Sequence, residues 1–345
     1  MLDVCAVGEL LIDFATVGTN ENGYPELSAN PGGAPCNFLA ALTKYGFKTA
    51  FIGKVGEDVF GDLLIGTLKD IGIDTKGIVR TKDAFTTLAF VTFDNNGERK
   101  FGFARKPGAD TCLCFEDCDL SLVDEAKVFH FGTLSLTHEP ARTATRKLIS
   151  YAKSKGKLIT FDPNLRKPLW DSMDDAKREI AWGLSAADII KISDEEIDFL
   201  WGLSPMEGAH RILEENAAKL VFVTMGAEGA FYSNRIHEGF VPIPKVHPID
   251  TTGAGDIFCG SALSRILKLS KSPEELTDEE LRFITEFGST AASLSTEHMG
   301  GIYSIRDEDE VLSRISAYEY PSKALDEMTK EEVQKSTLGD IKEAS

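Results

Sequence analysis

The sequence predicts an α/β fold in which a mainly parallel sheet is covered by helices on both faces, a three-layer sandwich, with a smaller β unit beside it. Three observations carry this reading. From about residue 125 onward, short apolar runs alternate with amphipathic stretches of helical period. Helical stretches in the first half close on a single glycine, at Gly46, Gly72 and Gly156. Two pairs of β-rich segments flank Asn/Gly-rich turns, which is the pattern of hairpins.

In chain order, residues 3–7 form an apolar run ending at Gly8 and predict a buried strand. Residues 10–17 and 24–29 are extended around the polar turn 18–23. A helix is predicted over 37–45, a strand over 49–52 and a helix over 62–71. Residues 86–94 and 98–104 pair around Asn95-Asn96-Gly97. The regular part then reads strand 128–131, helix 140–155, strand 158–162, helix 174–185, strand 189–192, helix 195–201 and strand 220–224. Segments 229–233 and 239–243 look like paired strands, and helices are predicted over 256–269 and 281–296. The tail beyond Pro321 is strongly polar, which predicts a solvated helix or a disordered end, with a partner-binding helix as the alternative.

Length and charge narrow the function. The chain has 345 residues, 37 Lys+Arg against 55 Asp+Glu, and a net charge of −18. So acidic a surface disfavours nucleic-acid binding. No apolar run approaches the roughly 20 residues of a membrane span. The N-terminus carries Asp3 and Glu9 and lacks a basic segment, so it does not read as a signal peptide. Six cysteines are too sparse for a disulfide scaffold and point to a reducing cytoplasm. Cys112, Cys114 and Cys118 fit no common zinc spacing and read as ordinary thiols.

Two motifs carry chemistry. Asp250-Thr251-Thr252-Gly253-Ala254-Gly255-Asp256 leads straight into an apolar helix. Small residues there leave the N–H groups of Gly253, Ala254 and Gly255 pointing outward, where the helix dipole favours an anion. Asp256 in the first turn is kept ionised by the same dipole and could take a proton from an attacking hydroxyl. The competing reading is a helix capped by Asp250 or Thr252, with Asp256 complementing the dipole. The second motif is Pro31-Gly32-Gly33-Ala34-Pro35-Cys36-Asn37. Its glycines permit close backbone approach, and Asn37 offers a donor and an acceptor to a sugar hydroxyl, or else caps a helix. A Walker-type loop is missing, which sets aside P-loop enzymes, and a G-x-G-x-x-G fingerprint after the first strand is missing too, which leaves a nicotinamide-dependent dehydrogenase as a weakly supported third reading.

Together these motifs resemble the PfkB-type carbohydrate kinases, the ribokinase-like family, over about residues 3–305. The stretches GELLIDF at 8–14, PGGAP at 31–35, FGFARKPGAD at 101–110 and FDPNLRKPLW at 161–170 are similar to its fructokinase branch. The resemblance implies that Asp256 is the base and that Gly253, Ala254 and Gly255 form the anion hole for the transferred phosphoryl group. It implies that Asp13, Gly33 and Asn37 hold sugar hydroxyls, with Arg105 and Arg166 near the substrate and the transferred phosphate. For the nucleotide it implies Thr224, Gly226 and Gly229 in a turn beside the phosphates and ribose, with Lys191 and Ser193 nearby. Ser193 stands where the family has Asn. Glu196 matches a Glu tied to magnesium through water, and Asp250 and Thr252 match a monovalent-cation site, potassium in many members. The family's usual Pro near the C-terminus is missing from 297–302, and the lone His298 reads as a pocket-wall or surface residue.

The implied activity is ATP-dependent phosphorylation of the primary hydroxyl of a ketohexose, fructose to fructose 6-phosphate. The alternatives are 2-keto-3-deoxygluconate or a riboside as substrate and, from another class, a non-catalytic sugar or nucleotide sensor. The implied cofactors are ATP, Mg2+ and, as an option, K+. The implied organisation is one kinase domain over 1–321 with lid segments at about 13–32 and 84–105, a tail over 322–345, and the option of a homodimer through the lid.

Overall fold

The computed structural model describes residues 1–93 and 99–317. The Asn95-Asn96-Gly97 turn and the polar tail lie outside the described residues. The first half contains β1 (Val4–Val7), β2 (Leu11–Thr19), β3 (Pro25–Gly32), α1 (Ala34–Lys44), β4 (Thr49–Gly56), α2 (Val59–Asp70), β5 (Asp74–Thr81), β6 (Leu88–Phe93), β7 (Arg99–Ala104), α3 (Leu120–Glu125), β8 (Val128–Gly132) and α4 (Ala141–Ser154). The second half contains β9 (Leu158–Asp162), α5 (Met173–Ala186), β10 (Ile189–Ser193), α6 (Asp194–Trp201), α7 (Pro205–Glu215), β11 (Leu220–Thr224), β12 (Gly229–Ser233), β13 (Glu238–Pro242), α8 (Ala254–Leu269), α9 (Asp278–Ser295) and α10 (Glu308–Ala317).

Among the described residues, the large sheet has the order β13-β12-β11-β10-β9-β8-β1-β4-β5. It is parallel from β11 to β5, and β12 and β13 are antiparallel at one edge. The period-2 pleat of a strand explains how one run of four apolar residues serves two cores. Val4 and Ala6 enter the core beneath α1, α8 and α9, while Cys5 and Val7 enter the core beneath α4, α5 and α7. A second sheet has the order β3-β2-β6-β7, with β2 and β3 antiparallel as the sequence predicts.

The C-terminal ends of β9, β10 and β11 form one rim: β10 and β11 finish level, with Ser193 the register partner of Thr224, and β9 ends two residues earlier, where the register sets Asp162 beside Lys191. Ligands of such sheets sit beyond this rim.

Candidate active site

Two helix N-termini and the strand rim converge on Asp256. α8 begins at Gly253, whose backbone is left-handed (φ 77°), and no side chain caps the helix. A residue with a Cβ is strained in that conformation, and its Cβ would lie 2.9 Å from Asn37 Nδ2. Asp250 does not cap α8. Its Oδ1 accepts from Thr252 N (3.0 Å) and Thr252 Oγ1 (2.7 Å), and its Oδ2 accepts from Gly300 N (3.0 Å). The first-turn N–H groups of α8 are therefore left without a side-chain acceptor, at the positive end of a helix dipole. The capping alternative is not what the chain adopts.

Asn37 is not a helix cap either. α1 begins after Gly33 (φ 119°), where a Cβ would lie 2.4 Å from Glu9 O. Glu9 Oε1 accepts from Ala34 N at 2.9 Å and pins the turn from the other side. Asn37 then falls one turn into α1, buried, and its Nδ2 donates to Asp256 Oδ2 at 2.9 Å. Its Oδ1 is buried and without a hydrogen-bond partner among the described residues. An orphaned acceptor next to a carboxylate is the kind of group a ligand hydroxyl satisfies.

The second Asp256 oxygen, Oδ1, accepts from Asn164 Nδ2 at 3.3 Å. Asp256 is buried, and burial raises its pKa to about 6, opposed by the Asn37 hydrogen bond and by the charges of Lys191 and Arg166. Asp13, on β2 of the small sheet, is likewise raised to about 6 by burial, with Arg166 opposing and Asp250 adding to the rise. Arg166 thus lies within electrostatic reach of both carboxylates, and its Nη1 donates to Leu165 O at 3.3 Å.

Lys191 is buried behind the α8 loop. Its Nζ lies 3.1 Å from Asp162 Oδ2, and a Cβ on Gly255 would lie 2.9 Å from the same nitrogen. Burial opposes the ammonium charge, but Asp162, Glu196 and Asp256 outweigh it and hold its pKa above the ordinary lysine range. Burial pushes Asp162 up to about 7 even with Lys191 alongside. Glu196 is also buried, and both of its oxygens accept backbone N–H groups, Oε1 from Leu165 (2.7 Å) and Oε2 from Ser193 (2.9 Å). Ser193 caps α6 in return. Its role in this structure is that of a cap.

Thr224 ends β11, and Gly226 (φ 51°) and Gly229 shape the turn into β12, closed by Met225 N to Gly229 O at 2.9 Å. Between the small sheet and the loop before α8 lies a cavity of about 120 Å³, lined by Asp13, Asn30, Val91, Asp250, Thr252 and Gly301, among others. His298 is exposed, beside the cavity-lining Met299.

Arg105 is placed differently from the rest. It is buried, and its guanidinium donates to Asp110 Oδ2 from Nε (2.9 Å) and Nη2 (2.6 Å), to Thr137 Oγ1 (2.8 Å) and to Leu134 O (2.8 Å). This enclosed pair, with two guanidinium N–H groups on one carboxylate oxygen, fastens the end of β7 to the segment 110–137. The reading of residues missed Asp162, Asn164 and Glu9. Asp162 and Asn164 stand inside the FDPNLR stretch, and the signal available was an Asn directly after Pro163 at a strand end.

The pfkB family carbohydrate kinase pattern matches residues 1–308. Fructokinase-1 of Zea mays is 40% identical over 316 residues, covering 90% of this chain and 97% of its own length. The structure of fructokinase with bound ATP from Xylella fastidiosa superposes with a TM-score of 0.84 at 30% identity, covering 92% of this chain and 99% of that one. A fructokinase from Vibrio cholerae O395, in fructose-, ADP- and calcium-bound form, superposes with a TM-score of 0.81 at 29% identity, covering 91% and 99% of the two chains.

Proposed function

The chain belongs to the pfkB family of carbohydrate kinases, and from that premise we propose that it is a fructokinase, transferring the γ-phosphoryl group of ATP to the primary hydroxyl of fructose. The observation that carries this is Asp256, a buried carboxylate beside the uncapped N-terminus of α8 and within electrostatic reach of Asp13 in the cavity wall. Phosphoryl transfer asks for positioning and charge neutralisation more than for covalent chemistry.

The residues present fit the nucleotide and its metal. The glycine loop leaves donors for phosphate oxygens, and a Cβ at Gly255 would intrude on the Lys191 ammonium behind it. Both Glu196 oxygens already hold backbone N–H groups, which suits a carboxylate that reaches a metal through a water. Magnesium, when bound, neutralises phosphate charge. Lys191 adds a fixed cation, and Thr224, Gly226 and Gly229 border the nucleotide. Asp13, Asn37 and the Gly33 turn hold the sugar. Asp256 takes the proton of the attacking hydroxyl as the new O–P bond forms and the bond to ADP breaks. The N–H groups at 253–255 stabilise the transferring group.

In this reading the small sheet is the lid of the sugar site, Arg105 anchors it, and Arg166 faces substrate between Asp13 and Asp256. Two copies pair through that sheet, whose Val17, Tyr24 and Leu27 are exposed and apolar. Asp250 and Thr252 serve potassium. The setting is cytoplasmic, in keeping with six unpaired cysteines.

The cavity wall favours a neutral sugar. Asp13 and Asp250 both face the cavity, the Arg105 guanidinium is engaged by Asp110, and the charge of Arg166 is already opposed by both Asp13 and Asp256, so a carboxylate substrate would meet net repulsion. The test is ADP release from ATP and magnesium with fructose, glucose, mannose, ribose, 2-keto-3-deoxygluconate and a nucleoside, with and without potassium. Fructose should give the highest kcat/KM by a wide margin. A preference for 2-keto-3-deoxygluconate or for the nucleoside would replace the proposed substrate.

A pH dependence follows from the buried base. Its ionised form predominates only above its pKa of about 6, so kcat/KM should fall as the pH drops through about 6. A pH–rate profile checks this. An acid limb near 4, the ordinary range of an exposed Asp, would contradict the buried setting of Asp256.

A further inference from the structure

Asn164 occupies an unusual place. Among the described residues, only Asn164, Arg235 and Ser270 are non-glycine residues at positive φ, and Asn164 alone of these touches the site (φ 45°). Asn tolerates the left-handed conformation better than most residues, but the position is still uncommon and requires support from its surroundings. That support is visible. The Asn164 backbone N donates to Asp162 Oδ1 at 3.2 Å, and Lys191 Nζ donates to the same oxygen at 3.2 Å. On its other side, Leu165 N is held by Glu196 Oε1 at 2.7 Å. A buried ion pair and a helix-capping carboxylate therefore brace the two peptide units around Asn164.

The result of this bracing is that the Asn164 amide points at Asp256 Oδ1, while Asn37 takes Oδ2. Each oxygen of the base has one amide donor. The two donors come from separate elements, one from α1 and one from the loop after β9. A carboxylate held by one donor can turn about its χ2; one held at both oxygens has its plane fixed. We propose that Asn164 is a positioning residue for the phosphoryl transfer: with Asn37 it clamps the Asp256 carboxylate in the plane that faces the sugar hydroxyl. This rests on the assignment of Asp256 as the base.

The test replaces the clamp without disturbing the backbone. Asn164→Gly keeps the left-handed conformation at no steric cost and deletes the donor. The charged groups facing Asp256 are Lys191 of β10, Arg166, Asp13 of β2 and Asp162 of β9, and the thiols of Cys36 and Cys259 next to it are held neutral by burial. None of these is altered, so a shift of the acid limb reports on the lost hydrogen bond. Loss of a hydrogen bond to a charged group predicts a kcat lower by about tenfold and an acid limb higher by about one pH unit. The KM values for fructose and ATP should stay within about twofold, since binding groups are untouched. Should Asn164→Gly not fold, Asn164→Asp retains the size and the left-handed tolerance and replaces the donor with an acceptor; its kcat and KM are then the readouts, because the added carboxylate raises the acid limb by itself. A kcat within twofold of the parent with an unmoved acid limb would overturn the proposal. Asp256→Asn measured alongside separates the two layers. If it is inactive while the Asn164 variants behave as the parent, only the clamp is overturned; if it is active, the base assignment falls and the clamp with it.

Discussion

Asp256→Asn is expected to lower kcat by at least about 10²-fold, the low end for a lost general base, while ATP and fructose still bind. The substitution keeps the size of the side chain and removes its ability to accept a proton. It also leaves one of the two amide donors, Asn37 or Asn164, facing an NH2 group, because a side-chain amide has only one acceptor oxygen. Against that local loss stands the relief of a buried charge. Asp256 raises the pKa of Asp162 and lies near Asp13, so the carboxylates repel one another across the site. The protein is therefore expected to unfold at a temperature close to that of the parent. Turnover by ADP release, substrate affinity by calorimetry and a thermal melt together check this. Near-normal turnover would remove Asp256 from the base role. Lost binding with a lowered melting temperature would show that the carboxylate is a structural support instead.

The sequence was most informative where one residue type has one physical use. The strands β8, β9, β10 and β11 are legible because both faces of the sheet are covered, which demands a continuous apolar run. β5 was not, since it lies at the sheet edge and its sequence DTKGIVRT mixes buried, half-buried and exposed positions. α7 was overlooked although Ser204, Pro205 and Glu207 form a complete capping signal, because the apolar residues that follow are few and separated by charge. In the site, the glycines and Asp256 stand out because a helix start without a cap is written in adjacent residues. The contacts that surround Asp256 are not local: Asn37 is 219 residues away and Asn164 is 92. Nothing in a single chain's pattern announces such a pairing, and an Asn after Pro163 reads as a turn. Arg105 illustrates the opposite limit. Its neighbourhood marks it as important, but only the fold shows that its guanidinium closes on Asp110.

Gly255→Val should cut ATP-dependent turnover by at least about 10²-fold, the scale on which a lost oxyanion donor acts. Gly255 is in the first turn of α8 and has ordinary helical backbone, so a β-branched residue is tolerated there by the main chain. The difficulty is volume. The Cβ alone would lie 2.9 Å from Lys191 Nζ, and the two methyl groups extend beyond it. Lys191 cannot move aside at low cost, because its ammonium is buried and paired with Asp162 at 3.1 Å. Separating a buried pair leaves each charge unpaired and costs several kcal/mol, roughly 3–5. Two outcomes compete, and both reach the phosphates: either the valine occupies the space over the first-turn N–H groups, or it drives Lys191 out of register with the rim of β10. Gly255→Ala adds the Cβ alone, which asks the Lys191 ammonium to give by roughly a few tenths of an ångström while staying within reach of Asp162, and should lose much less. Steady-state kinetics with varied ATP, together with the melting temperatures of both variants, measures the effect. A fall in kcat/KM for ATP that is steep for Val, shallow for Ala and unaccompanied by unfolding places the transferred phosphoryl group over this loop. Unchanged turnover in the valine variant would remove the 253–255 donors from the mechanism.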